Sequence, residues 1–259
     1  MISDPTLTHV VHILVPILVA HVLVDFVIQV NQDVESGRGV RELVFHSALV
    51  AILSYALVGV VRGWVVPAVI FPTHLLIDYA KARWGRDDLL SLALDHVAHL
   101  VVLLGLASLY PTWDPGAIDS LWAVGLGTPY YRALILVAGV IAAVPAGRVF
   151  VGAAVDPFLQ QLSESGADGA TSTTSRGFAE GGQVIGQLER TLILLFVLVD
   201  LPSAIGFLIA AKSVFRFGEL SDRSNRMEAE YIIIGTMMSF AWGLSGAYLT
   251  QAALRMVGS

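Results

Sequence analysis

Cysteine is absent from this 259-residue chain, and charged residues are scarce. Without cysteine, disulfides, thiolate zinc sites, iron–sulfur ligation and cysteine nucleophiles are excluded, so any metal must be held by nitrogen and oxygen. Charged residues make up 14% of the sequence, against about 25% in soluble domains. With only 15 Lys and Arg and a net charge of −6, the chain lacks the basic surface that nucleic acids require. It also lacks a Walker-type phosphate loop, a Gly-x-Ser-x-Gly elbow and a dinucleotide fingerprint.

Apolar residues form 56% of the chain, and its mean hydropathy is +0.74. Because a membrane-spanning helix needs about 20 largely apolar residues, the pattern predicts an all-α polytopic transmembrane helix bundle with about eight segments. Pro202 interrupts the stretch 183–217, which is therefore divided into two short spans or a re-entrant hairpin. No basic n-region precedes the first stretch, which is expected to be a mature span. The expected segments are 8–30, 41–61, 64–81, 88–110, 130–152, 184–200, 202–217 and 229–252.

The distribution of Lys and Arg predicts a multi-pass protein with its N-terminus outside, because basic residues then accumulate on the inner side. A stretch without Lys or Arg at 111–129 is interpreted as an outer loop. A run rich in Ser, Thr, Gly and Ala at 160–182 is typical of a flexible cytoplasmic segment. The expected parts are an N-terminal bundle, 1–152, a linker, 153–182, and C-terminal membrane segments, 183–259.

Histidine and aspartate recur within the first four spans. Ionisable side chains are costly there and are functional candidates by default, and residues four apart lie on one helical face. At about 1.5 Å per residue, these side chains occupy a band roughly 5 to 17 Å below the inner surface. A single membrane histidine is more often a packing residue, but agreement in depth among four helices favours one shared site. The set comprises the pairs His21 and Asp25, His74 and Asp78, and Asp95 and His99, together with His46.

Imidazole and carboxylate ligands without thiols suit a divalent metal, with zinc preferred and iron or manganese as alternatives. The preferred ligands are His21, His74 and His99, with His46 as an alternative. Asp25, Asp78 and Asp95 are the candidate catalytic residues, as fourth ligand, orienting group or general base. An open metal position lowers the pKa of a bound water to about 7, which is hydrolase chemistry. The remaining histidines are interpreted as bystanders: His9, His12 and His96.

A second group of charged residues lies in the C-terminal part. Such residues more often form ion pairs or extend basic side chains to the interface, but they also suit a basic pocket for a lipid phosphate. Together with two residues of the N-terminal bundle, they are the candidate substrate-binding residues: Gln29, Lys81, Glu189, Arg190, Lys212 and Arg216.

Several motifs carry a family resemblance. They are His21-Val-Leu-Val-Asp25-Phe26-Val-Ile-Gln29, His46, His74-Leu-Leu-Ile-Asp78-Tyr-Ala-Lys81 and Asp95-His-Val-Ala-His99, with Ile185-Gly186-Gln-Leu188-Glu189-Arg190 and Glu230-Tyr231-Ile-Ile-Ile-Gly235-Thr236 further on. With these motifs the chain resembles a bacterial integral membrane family called domain of unknown function 3307. The resemblance implies the bacterial plasma (inner) membrane but no reaction. In ligand types alone, the set is also similar to membrane-embedded metal-dependent hydrolases.

These features predict a membrane-embedded metal-dependent hydrolase that acts near the cytoplasmic leaflet on a lipid-like amide or ester. One alternative is a cation or proton-coupled transporter or channel using the same band, favoured by the discontinuity at Pro202. Another is a non-enzymatic accessory or sensing protein. Membrane lipid is the expected partner and nucleic acid is not; a homo-oligomer or a cytoplasmic partner at 160–182 are the further partner hypotheses.

Overall fold

The computed structural model describes residues 5–28, 39–113, 120–164, 181–220 and 226–258, and it contains no strand within those ranges. The prediction of an all-α fold is confirmed. The helices are α1 (Pro5–Leu23), a π-helical turn π1 (Val24–Ile28), α2 (Val40–Val58), α3 (Val65–Trp84), α4 (Leu89–Trp113), α5 (Leu121–Leu126), α6 (Thr128–Ile141), a second π-helical turn π2 (Ala142–Ala146), α7 (Gly147–Glu164), α8 (Gly181–Leu198), α9 (Ser203–Leu220) and α10 (Arg226–Gly258).

The helices are suited to a membrane by length and by the side chains they expose. Within the described ranges, seven helices are long and apolar enough to cross a bilayer, and a shorter apolar helix covers Ser203–Val214. Large apolar side chains stand on their outer faces, as Phe207 at 78% exposure and Leu249 at 71% illustrate. A water-soluble bundle would hide such side chains in its core. The chain is a multi-pass membrane protein.

The break at Pro202 lies where the sequence predicts it. α8 ends at Leu198 and α9 begins at Ser203. Between them Asp200 adopts a left-handed conformation with φ 59°, which aspartate tolerates better than most residues. The peptide N–H of Leu201 donates to the carbonyl of Phe196 at 2.8 Å, which closes the turn. The division of 183–217 into two helices is confirmed.

The predicted linker begins too early. Residues 153–164 belong to α7, because the apolar residues Phe158, Leu159 and Leu162 continue the helical pattern and Leu162 is buried. At the other end, residues 181–182 already belong to α8. The rest of the linker, 165–180, lies outside the described residues.

The predicted outer loop, 111–129, is also partly helical. α4 continues to Trp113, and α6 begins at Thr128. Between them the short helix α5 starts at Ser120, whose hydroxyl accepts a hydrogen bond from the amide of Ala123. Serine is a preferred residue at this position because it satisfies an amide that the helix leaves unpaired.

The chain divides into two compact units. The first, called the N-terminal unit, comprises Met1–Ile141 and Ala252–Ser259, and the second, called the C-terminal unit, comprises Ala142–Gln251. In the first unit, α1 packs against α2, α4 and α6, while α3 packs against α2 and α4. Their common core includes Ile17, Val50, Val66, Ile70 and Leu106. The helices with His and Asp therefore surround one interior.

The second unit is organised around π2. A π-helical turn displaces the regular ladder of backbone hydrogen bonds, and two of its carbonyls accept side-chain donors instead. Trp242 Nε1 donates to the carbonyl of Ala142 at 2.8 Å, and Arg190 Nη2 donates to that of Val144 at 3.2 Å. Side chains from α8 and α10 thus hold this turn in place.

Candidate metal centre

The first His–Asp pair lies where α1 changes to a π-helical turn. His21 is in the last turn of α1, and Asp25 is the second residue of π1. His21 Nδ1 and Asp25 Oδ2 are 3.6 Å apart. A π turn holds an additional residue, so it changes the direction of the side chains that follow it, and such turns are frequent at functional sites.

Imidazoles from four helices meet inside the N-terminal unit. The ring centroid of His74 lies 4.2 Å from that of His99, 5.0 Å from that of His46 and 5.3 Å from that of His21. All four side chains are buried. The convergence that the sequence predicts for α1 to α4 is therefore present in the structure.

One group of three donors has the spacing of metal ligands. His21 Nδ1 lies 3.2 Å from His74 Nε2, and Asp25 Oδ1 lies 3.9 Å from the same nitrogen. Ligands about 2.1 Å from a tetrahedral zinc ion are separated by about 3.4 Å. The donors of His21, Asp25 and His74 all lie within 4.8 Å of one another, so a divalent ion fits between them with small adjustments of the side chains.

Asp78 supports this group from the far side of the His74 ring. Its Oδ2 lies 3.1 Å from His74 Nδ1, at hydrogen-bonding distance. A metal-binding histidine commonly donates its second ring N–H to a carboxylate, which leaves the other nitrogen free for the ion. Asp78 also approaches two further imidazoles, with His46 Nε2 and His99 Nε2 each 3.6 Å away.

His46 and His99 belong to two other ligand groups. The donors of His46 group with His74 and Asp78, and those of His99 group with Asp78 and Asp95. The structure groups His21 and His74 with Asp25, and the ligand set that the sequence prefers, His21, His74 and His99, stays a prediction. His99 Nδ1 lies 3.0 Å from the backbone carbonyl of Asp95, a contact that leaves its Nε2 available to an ion. In the described part of the chain, His99 Nε2 is buried without a hydrogen-bond partner.

Asp95 is neutralised by a lysine that the sequence assigns to substrate binding. Lys81 Nζ lies 2.8 Å from Asp95 Oδ2, and 37% of the lysine side chain is exposed. Asp25 and Asp78 have only imidazoles as ion-pair partners among the described residues. With neutral imidazoles, the cluster therefore keeps two uncompensated negative charges. Burying them is unfavourable by several kcal/mol each unless a cation or protons balance them.

His96 is closer to the cluster than the sequence interpretation allows. Its Nε2 lies 3.9 Å from Asp25 Oδ2 and its Nδ1 lies 3.4 Å from Asp95 Oδ2, so His96 borders the cluster, and its interpretation as a bystander stays a prediction. The signal was its spacing of three residues from His99, which also brings side chains to neighbouring positions. His12, by contrast, stacks on Tyr131 with ring centroids 4.2 Å apart.

The predicted substrate-binding residues of the C-terminal unit have protein partners. Lys212 Nζ lies 2.6 Å from Glu189 Oε2, and Arg190 Nη1 donates to the hydroxyl of Ser239 at 2.9 Å. Gln29 lies outside the described residues, and the side chain of Arg216 lies outside the described side chains. The roles of these residues toward a substrate stay predictions.

The fold and the cluster define a class: a multi-pass helical membrane protein with a buried His and Asp centre built by four helices. Residues 13–117, which contain the whole cluster, match the family described as "Protein of unknown function (DUF3307)". No curated protein and no solved structure matches the chain. The resemblance to the family is confirmed, and the looser similarity to membrane-embedded hydrolases stays a prediction.

Proposed function

We propose that the N-terminal unit is a membrane-embedded metal-dependent hydrolase of a lipid-like amide or ester. The observation that carries this proposal is the donor group of His21, Asp25 and His74 inside a cluster whose carboxylates at Asp25 and Asp78 have no lysine or arginine partner among the described residues. A divalent cation balances that charge, and nitrogen and oxygen donors suit zinc first, then iron or manganese. When bound, such an ion polarises a carbonyl and activates water at neutral pH.

The protein side chains then have distinct roles. His21, Asp25 and His74 are the ligands, and Asp78 orients His74 through the contact to Nδ1. His46 is the proton-transfer group, because its Nε2 lies 3.2 Å from Asp25 and its side chain also borders an open pocket. A positioned acid–base group contributes about 10²- to 10⁴-fold to such reactions.

Asp95 and His99 form the second layer of the centre. Lys81 holds Asp95 in place, and the backbone carbonyl of Asp95 orients His99. His99 Nε2 then faces Asp78 Oδ1 at 3.6 Å. We place the centre near the cytoplasmic leaflet of a bacterial inner membrane with the N-terminus outside, because basic residues then accumulate inside.

The test combines metal content with turnover. Protein purified from membranes should contain about one equivalent of a transition metal, as occupancy of the His21, Asp25 and His74 group requires, and should cleave single-chain fatty amides or esters. Chelation should abolish turnover and added metal should restore it. Asp78→Asn should lower activity by about 10- to 100-fold, whereas His12→Ala should not. Less than a tenth of an equivalent of every transition metal would end the proposal.

A cation or proton transporter is the second candidate, and one observation favours it. Ionisable groups follow one another from Asp25, through the pocket-lining His46, to a partly exposed lysine with gaps of 3.2, 3.6, 3.6, 3.7 and 2.8 Å. Chains of this kind serve as proton relays in membrane proteins. In order they are Asp25, His46, Asp78, His99, Asp95 and Lys81. Flux in proteoliposomes that Asp78→Ala abolishes, without turnover of any lipid, would favour this function over hydrolysis.

A further inference from the structure

A pocket of about 310 Å³ opens beside the candidate metal centre, between π1 and the first turns of α2. Its walls are largely apolar, and Phe45 and Ile28 are 67% and 47% exposed. Small-molecule sites occupy about 300–1,000 Å³, so this pocket suits one chain or one head group rather than a two-chain lipid. Its polar end carries Arg41 and Glu42, and its inner wall includes His46.

The two charged residues at the pocket differ in what they already bind. The Glu42 carboxylate accepts a hydrogen bond from the amide of Gly39 at 3.2 Å, which caps the N-terminus of α2. Arg41 lies beside it in the first turn of a 19-residue helix, where the helix dipole also favours an anion. The Glu42 carboxylate keeps its charge but is bound to the backbone at the start of its own helix, so Arg41 is the lining side chain that can bind an anion.

His46 connects the pocket to the centre. Its side chain is 7% exposed, and its Nε2 reaches Asp25 Oδ1 at 3.2 Å. Lys81, the other cation near the centre, is already bound to Asp95. Arg41 is therefore the better anchor for an anionic group, and a ligand bound there lies against a member of the His and Asp cluster.

We infer that this pocket binds a single-chain amphiphile with an anionic head group, its chain against Phe45 and Leu49 and its charge on Arg41. The inference deepens the proposed function by naming the substrate class, and it rests on that function. Binding in the pocket itself requires no metal, because none of the lining side chains other than His46 belongs to a ligand group. Failure of the pocket proposal can therefore be distinguished from failure of the proposed metal-dependent function.

The absence of cysteine makes a site-specific test direct. Phe45→Cys places one thiol in the pocket, and Ile52→Cys places one on the same helix outside it, at a position of matched exposure, 67% against 64%. Each thiol is labelled with an environment-sensitive dye in full-length protein in an uncharged detergent, and dodecyl phosphate is titrated. We expect a saturable emission change at position 45 and none at position 52. If Phe45→Cys does not fold, Leu49→Cys replaces it.

Further titrations test which chemical features of the ligand the pocket recognises. Arg41→Gln should raise the half-saturating concentration at least tenfold, about 1.4 kcal/mol, and an uncharged dodecyl glycoside should give no saturable change. An equal response to inorganic phosphate would contradict the binding of an amphiphile and would indicate a site for a free anion. A response at position 52 equal to that at 45, or none at either pocket position, would overturn the site. Repeating the titration after chelation separates loss of the ligand from loss of the metal.

Discussion

The two units bury ionisable side chains in different ways. In the N-terminal unit, carboxylates and imidazoles approach at 3.6 to 3.9 Å in several pairs, beyond good hydrogen-bonding distance. In the C-terminal unit, Glu189 and Lys212 are in direct contact at 2.6 Å. Arg190 there donates to a hydroxyl and to a carbonyl at 2.9 and 3.2 Å.

This difference distinguishes a candidate metal site from charged residues that stabilise the fold. Glu189 and Lys212 neutralise each other, and the Arg190 guanidinium binds neutral acceptors of α10 and π2. The N-terminal cluster keeps two carboxylates without a lysine or arginine partner among the described residues. Burial of a carboxylate in a membrane protein is thus a weaker sign of a metal site than burial of several carboxylates without a lysine or arginine partner.

The largest contrast should appear in metal affinity. His74→Ala removes a ligand and should weaken zinc binding by more than about 100-fold, since substitution of supporting residues alone costs about 10- to 100-fold. His12→Ala, in the same unit, should leave the affinity unchanged because His12 stacks on Tyr131. Competition titration against a chelating dye measures both. Equal affinities of the two variants would contradict the assignment of His74 as a ligand.

The C-terminal ion pair should affect stability rather than metal binding. Glu189→Leu removes the carboxylate that contacts the partly buried Lys212 and should lower the free energy of unfolding by about 3–5 kcal/mol. Adding Lys212→Met should recover most of that loss, as thermal unfolding in detergent can measure. A double variant as unstable as the single variant would show that the pair is not compensating charge.

A smaller effect is expected where Arg190 packs against glycine. A Cβ at Gly147 would lie 2.7 Å from Arg190 Nε and 2.7 Å from Trp242 Cδ1. Gly147→Ala should therefore destabilise the protein by about 1–3 kcal/mol. At Gly152 in the same helix, a Cβ meets nothing within 4 Å, so Gly152→Ala is the matched control. Equal melting temperatures for both variants would contradict the packing of Arg190.

The smallest effect concerns His96. It approaches Asp25 only to 3.9 Å and belongs to none of the ligand groups in the described residues. His96→Gln should change zinc affinity by less than about threefold, or about 0.6 kcal/mol. A tenfold loss in the same competition titration would place His96 among the ligands.

Local patterns in the sequence predict much of this architecture. Pairs four residues apart must share a helical face, so the convergence of His21, His74 and His99 follows once the helices pack. Pro202 removes a backbone donor, so the break between α8 and α9 follows as well.

Features that depend on packing could not be predicted from sequence patterns. The π-helical turn at Asp25, the ion pair of Lys81 with Asp95 and the grouping of His99 with Asp78 and Asp95 each depend on which atoms face each other. The pocket at Arg41 forms where π1 approaches α2. The spacing of its lining residues along the chain follows no regular pattern from which the pocket could be predicted. Helical periodicity predicts the face of a helix but not the direction of a ring nitrogen.

The most direct test of the metal centre is an experimental structure of zinc-loaded protein with anomalous scattering measured at the zinc edge. The expected result is a single peak about 2.0–2.2 Å from His21 Nδ1, His74 Nε2 and an Asp25 carboxylate oxygen. Absence of a peak under saturating zinc, with His21 Nδ1 and His74 Nε2 still in direct contact at 3.2 Å, would contradict the metal centre. The cluster would then be a network of hydrogen bonds.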